Sequence, residues 1–164
     1  MEETERLIFI SEKSQEILDE LWKNCFEGEE NNRHMNAFVP FPVTQQQQLD
    51  EFINYEGKFK SWIIKRKKEN DAIGFVIHGH FFPGHNNDIG FNIGLKYTKK
   101  GYATETLNAL LKYLKEKGYT ETYGHCYQNN IASIKTMEKC GFINSGKTGK
   151  IYNGNYELKF KKTL

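Results

Sequence analysis
The chain has only three cysteines, Cys25, Cys126 and Cys140, an odd number with no Cys-x-x-Cys spacing. That scarcity argues against a disulfide framework and a structural zinc site, and it fits a reducing cytoplasm. An excess of charge of one sign is also lacking. A formal net charge of +2 is a weak field, whereas nucleic-acid binding calls for a stripe of Lys and Arg on one face. The run Lys65-Arg66-Lys67-Lys68 reads as the solvated end of a strand. The N-terminus has no long apolar segment and carries Glu2, Glu3 and Glu5 instead, which argues against a signal peptide or a membrane anchor. No internal repeat is visible, and Gln45 to Gln48 is too short a run to count as low complexity. Histidine lacks the helical His-Glu-x-x-His spacing, so His78-Gly79-His80 with His85 makes no case for a metal and none is expected.

What the chain does have is aromatic bulk. Twelve Phe and nine Tyr under a mean hydropathy of −0.71 describe a polar surface over an aromatic core. At 164 residues the chain fits one domain spanning 1–164, large enough to bury about 70% of its unfolded surface.

Periodicity places the elements. A short strand is expected over residues 5 to 10, then an amphipathic helix from Ser14 to Cys25 with Ile17, Leu18, Leu21 and Trp22 on one face. Residues 27 to 42 read as an extended loop, and Thr44 is a candidate cap for a helix over 45 to 55. Strands at 58–65, 72–81 and 87–94 are separated by turn-rich segments and predict an antiparallel meander. A helix over 101 to 117 carries Leu107, Leu110, Leu111 and Leu114 on one stripe and stops at Gly118. A strand at 120–127, a helix at 131–139 and a closing pair near 142–148 and 152–161 complete a mixed α/β chain.

The stretch from Asp88 to Thr106 is the most informative. An apolar strand runs through a short basic turn directly into a helix. The first N–H groups of a helix have no partner inside it and its dipole is positive there, so a phosphate is held well at that end. Lys99 and Lys100 strengthen the field, Gly101 lets backbone approach a ligand, and Ala103 keeps the approach open.

A second segment sharpens the reading. Residues 130 to 142 run Asn-x-x-Ser-x-x-x-x-Glu-Lys-x-Gly-Phe. With the basic turn, this resembles the GNAT family of acyl-CoA-dependent N-acetyltransferases and, within it, the branch that includes the ribosomal-protein N-terminal acetyltransferases. That family's cofactor turn reads Gln/Arg-x-x-Gly-x-Gly/Ala. Thr98-Lys99-Lys100-Gly101-Tyr102-Ala103 matches its last two small residues, with Thr98 where Gln or Arg is expected. Tyr-Ala-Thr-Glu at 102 to 105 and the opening Thr4-Glu5-Arg6-Leu7 are also typical of the branch.

The resemblance implies a single α+β domain. Its mostly antiparallel mixed sheet would have about six or seven strands, splayed between the fourth and fifth, with about four flanking helices. It implies acetyl-CoA as acyl donor and a primary amine as acceptor, at a protein N-terminus or on a polyamine, an aminoglycoside or an amino acid. The backbone of Ile93, Gly94 and Leu95 would hold the pantetheine arm. Thr98, Lys99, Lys100, Gly101, Tyr102, Ala103 and Thr104 would form the pyrophosphate turn, with Thr98 a weaker contact than the residue it replaces. Asn130 would hydrogen-bond the pantetheine side, and Ser133 would protonate the leaving thiolate as general acid. Capping of the helix that begins there is an alternative duty for both residues.

Asp88 opens the fourth strand where many relatives carry an acid and is the candidate general base. His78, His125 or a water chain are alternatives. Two further readings keep the scaffold: a catalytically silent acyl-CoA-binding module, and an acyltransferase for a longer donor. Glu27, Glu29 and Glu30 would suit a cationic acceptor, but acids in a surface loop are commonly only solubilising. The expected protein is cytoplasmic, binds neither nucleic acid nor membrane, and is a monomer or homodimer.

Overall fold
Near-continuous apolar runs within 59–66, 72–79 and 88–93 build three strands that pair in sequence order and are covered on both faces, and the remaining elements pack around them. The computed structural model describes residues 1–32, 44, 45, 47, 59–80 and 87–164. In chain order come β1 (Leu7–Ile10), α1 (Gln15–Cys25), α2 (Glu29–Asn32), β2 (Phe59–Arg66), β3 (Ala72–Gly79) and β4 (Asp88–Ile93). A 3-10 turn (Leu95–Tyr97), α3 (Tyr102–Glu116), β5 (Glu121–Tyr127), α4 (Ile131–Lys139), β6 (Ile143–Tyr152) and β7 (Asn155–Thr163) follow.

Among the described residues seven strands form one sheet in the order β1-β2-β3-β4-β5-β7-β6. Neighbours pair antiparallel except β4 with β5, which run parallel and pair only at Asp88 with Tyr123 and Ile89 with Gly124. Beyond Ile89 the two strands part. The sheet is therefore mixed, mostly antiparallel and splayed between its fourth and fifth strands, as expected.

One face of the sheet is covered by α3 and α4. Leu107, Leu110, Leu111 and Leu114 pack with Leu7, Trp62, Ile64, Val76, Ile89 and Phe160. Each such leucine contributes about 1.5–3 kcal/mol relative to leaving it in water. α3 closes as its leucine stripe ends, with Tyr119 N–H donating to Leu114 O and Gly118 N–H to Lys115 O, the paired bonds of a Schellman stop. The opposite face takes α1, whose Leu18, Leu21 and Cys25 meet Ile63, Ala72 and Phe75. Gly94, just past β4, lets α1 come this close: a Cβ there would lie 2.1 Å from the Asn24 carbonyl oxygen.

Three expectations need revision. The closing hairpin turns later than its composition suggested: β6 runs through Tyr152 and β7 begins only at Asn155. Its turn is Asn153-Gly154, both at positive φ (47° and 74°), the backbone of a tight hairpin. Register shifts at Asn144/Lys147 and Lys147/Ile151 break the alternation that would have marked the strand. Arg66 is not a solvated strand end. It donates to both Asp71 oxygens at 2.7 Å and lies over the Tyr97 ring, 5.0 Å from its centroid.

The expected loop at 27–42 contains α2, and its remainder lies outside the described residues. Of the expected helix at 45–55 only 45 and 47 are described. Thr44 does cap there: its hydroxyl accepts from Gln47 N–H at 3.1 Å while Gln47 Oε1 accepts from Thr44 N–H at 2.9 Å, a reciprocal capping box.

Candidate active site
The turn into α3 is shaped by two left-handed residues, Lys99 (φ 61°) and Gly101 (φ 84°). Gly101 occupies the N-cap position, so no side chain covers the first N–H groups of the helix. A phosphate meets bare donors and the positive end of the dipole there. Lys99, Lys100 and Gly101 are exposed. Thr98 turns its hydroxyl inward and donates to Leu95 O at 2.8 Å, so it closes the 3-10 turn.

The first strand holds this turn in place. Arg6 Nη1 donates to Lys100 O at 3.0 Å and Arg6 Nε to Glu105 Oε2 at 2.7 Å, while Thr4 Oγ1 donates to Glu105 Oε1 at 2.6 Å. The Arg6 guanidinium also covers the Tyr102 ring at 4.6 Å. The Thr4-Glu5-Arg6 and Thr104-Glu105 segments, a hundred residues apart in sequence, are thus two halves of one clamp. Nothing local in the sequence marks Arg6 and Glu105 as partners, because their pairing depends on the fold.

The splay supplies a slot. Gly94 N–H donates to Ile73 O, towards β3. Strand alternation then turns the N–H and C=O of Ile93 and Phe91 towards the open side, facing β5. Of the three residues expected to hold a pantetheine arm by their backbone, Ile93 alone presents its N–H there. Gly94 N–H is used within the sheet, and Leu95 N–H donates to Asn31 Oδ1 at 3.0 Å. Phe91 is an addition that strand parity reveals.

Across the slot, Asn130 caps α4 by accepting from Ser133 N–H at 3.1 Å. Ser133 is half-buried and its side chain hydrogen-bonds Cys126. Burial pushes the Cys126 thiol up to about 11, with the Ser133 hydrogen bond opposing. Cys126 is therefore a thiol at neutral pH, and Ser133 stands at the mouth of the splay on the α4 side.

The candidate bases separate by face. His78 points to the α3 side, its ring 4.8 Å from that of Tyr119, and burial with the nearby Lys60 charge lowers it to about 4. An imidazole so depressed is neutral at physiological pH and serves as packing. His125 points to the other face, between two carboxylates. Its Nε2 lies 3.9 Å from Asp88 Oδ1 and its Nδ1 lies 3.6 Å from Glu157 Oε2. All three side chains are buried, at 4%, 0% and 2% exposure.

Asp88 pairs with β3 and β5 at once, at the closed end of the splay. Glu157 lies opposite Tyr127 on β7, nearer the open end, and accepts from the Thr148 hydroxyl at 2.6 Å. Glu157 escaped sequence reading because its strand shows no signal beyond a polar residue beside Leu158. Among the described residues no group of three or more His, Cys, Asp or Glu is arranged to hold a metal ion. His85 lies outside them. No helix among them is long and apolar enough to cross a membrane.

The model of the acetyltransferase (GNAT) domain matches residues 16–143. An uncharacterized N-acetyltransferase of Bacillus subtilis, YnaD, is 26% identical over 128 residues, which cover 76% of this chain and 75% of that protein. Among solved structures, a GNAT-family acetyltransferase from Bacillus anthracis superposes with a TM-score of 0.80 at 23% identity, covering 97% of this chain and 95% of that one. The microcin C7 self-immunity acetyltransferase MccE, solved with acetyl-CoA and AMP, superposes with a TM-score of 0.76 at 20% identity, covering 98% and 94%. At these identities the superpositions speak for the fold.

Proposed function
Because the chain belongs to the GNAT family of acetyltransferases, we propose that it transfers an acetyl group from acetyl-CoA to a primary amine by direct attack on the thioester. The observation that carries this reading is the pairing of β4 with β5 at two positions only, beside a helix start whose cap is a glycine. The slot opens at the C-terminal end of β4 and the anion turn lies at the N-terminal end of α3, which follows after the 3-10 turn, so one extended ligand would reach both. Residues 1–164 act as one domain in this reading.

In the proposed chemistry the N–H groups of 102 to 104 and the Lys100 ammonium bind the pyrophosphate, and the backbone of Ile93 and Phe91 aligns the pantetheine arm. Asn130 keeps the start of α4 in place. Ser133 gives its hydroxyl proton to the departing sulfur. Asp88, fully buried, takes the amine's proton through the His125 imidazole. Positioning supplies most of the rate, because a thioester is already reactive once an amine is held about 3–3.5 Å from its carbonyl.

The Tyr102-Ala103-Thr104-Glu105 and 130–142 motifs support the ribosomal-protein branch, which makes peptide N-termini the first acceptors to try. The test is free-thiol release from acetyl-CoA against short peptides, polyamines, aminoglycosides and amino acids, with calorimetric binding of acetyl-CoA alongside. Turnover with one acceptor class is expected. Binding without turnover across the panel would replace this reading with a silent acyl-CoA-binding module, and turnover only with longer thioesters would change the donor.

A further inference from the structure
We propose that Glu157 is a positioning residue which, with Asp88, holds the His125 imidazole ready to carry the proton that the acceptor amine sheds. The inference rests on the acetyl-transfer reading and deepens it. His125 is the first residue of β5 beyond the last pair with β4, Ile89 with Gly124. It therefore sits where the two strands separate and where an amine approaching from the α1 side would meet a thioester in the slot.

Its side chain is only 4% exposed and is bracketed by carboxylates from the strands on either side, Asp88 from β4 and Glu157 from β7. Distances of 3.9 and 3.6 Å are longer than a hydrogen bond but short for charge. Thr148 of β6 fixes the Glu157 oxygen that faces the ring.

Among the described residues the other charged or titratable groups on this face of the two strands include Glu121, Tyr123 and Tyr127 on its own strand and, on β7, Lys159 opposite His125 and Lys161 opposite Tyr123, with Lys161 paired to Glu121 at 2.6 Å. The Lys159 ammonium is drawn onto the Tyr123 ring, 4.5 Å from the centroid. Burial disfavours an imidazolium and two adjacent carboxylates favour it.

The step balances. The amine nitrogen forms its bond to the acetyl carbon as the carbon–sulfur bond breaks. The nitrogen's proton passes to His125 Nδ1, on the Glu157 side, and the sulfur gains one from Ser133. Passage of that proton from His125 Nε2 to Asp88, 3.9 Å away, and on to solvent, with reprotonation of Ser133, restores the enzyme. Without Glu157 the imidazolium is stabilised from one side only.

The experiment is an NMR titration of the His125 ring in the full-length wild type, Glu157→Gln and Glu157→Asp, its signal assigned by comparison with His125→Gln, together with pH profiles of kcat/KM for the amine. Removing one nearby charge is expected to lower the His125 midpoint by about one pH unit and to move the acid limb of the profile down by the same amount. Turnover should fall about tenfold with acetyl-CoA affinity unchanged, and Glu157→Asp should restore most of both. A His125 midpoint and an acid limb unmoved in folded Glu157→Gln would overturn the proposal, and so would an imidazole in the wild type that never titrates. If wild type binds acetyl-CoA yet releases no thiol with any amine, the acetyl-transfer reading itself fails. A surviving NMR shift would then mark a charge contact alone, and the relay would be overturned with that reading.

Discussion
At the scale of single residues, the site divides hydroxyl, imidazole and carboxylate between the two faces of the sheet. Ser133 approaches the slot from the α4 side beside Cys126, while His125, Asp88 and Glu157 occupy the opposite face. In the proposed mechanism acid and base are thus separated by the thickness of one strand, which would keep the proton for sulfur apart from the proton of nitrogen. Ser133→Ala removes a hydroxyl without disturbing the cap, since Asn130 binds the Ser133 N–H and not its side chain. Turnover should fall about ten- to a hundredfold while acetyl-CoA affinity stays within about twofold, the size expected for general acid help to a good leaving group. Steady-state thiol release and calorimetry measure both quantities. Equal turnover would leave the Ser133 hydroxyl as a partner of Cys126 and nothing more.

At the scale of elements, the decisive piece is the junction of β4, the 3-10 turn and α3. Gly101 has φ 84° and a Cβ there would sit 3.3 Å from Arg6 Nη2. A β-branched residue is strained in that conformation and crowds the arginine that holds Lys100 O. Gly101→Val should therefore cost about 1–2 kcal/mol in stability from backbone strain. Separately, acetyl-CoA binding should weaken by more than about tenfold, or about 1.4 kcal/mol of binding free energy. Unchanged affinity in a folded Gly101→Val protein would remove the pyrophosphate from this turn. The Arg6, Thr4 and Glu105 clamp ties the chain's opening residues to a turn ninety residues later, whose backbone they hold.

At the scale of the whole molecule, the β2–β3 hairpin is tied to the approach of that same junction through Arg66, Asp71 and Tyr97. Arg66 chelates Asp71, and the Tyr97 hydroxyl donates to Asp71 Oδ2 at 2.8 Å. Hydrogen bonds from Arg66, the largest influence, hold the Asp71 carboxyl below its ordinary 3.8. A group depressed on folding lends stability that is complete above its unfolded value and is lost as pH falls through the folded one. Acid should therefore weaken the wild type progressively below about pH 4. Asp71→Asn should be less stable at neutral pH and lose less of its stability on acidification. Urea unfolding at a series of pH values reads this directly, and parallel stability curves for the two proteins would show that Asp71 contributes no such linkage.

Period and turn chemistry made most of the elements legible before any coordinates. The leucine stripe of α3, its stop at Gly118, the meander of β2 to β4 and the start of α4 are local facts, each set by side chains within a few positions of one another. The hairpin at Asn153-Gly154 was equally local but hidden by irregular register in β6. The basic turn and the Asn130 to Phe142 motif were readable because a helix start and its cap are contiguous. The family resemblance implied a splay between the fourth and fifth strands, but not that β4 and β5 part just after Ile89, because pairing between strands separated by a whole helix depends on how α3 packs. Nor could sequence bring Arg6 to Lys100, or set Glu157 against His125 while turning His78 to the other face. Those partners lie far apart along the chain, and only the sheet's order and the alternation of its faces put them within reach of one another's charge.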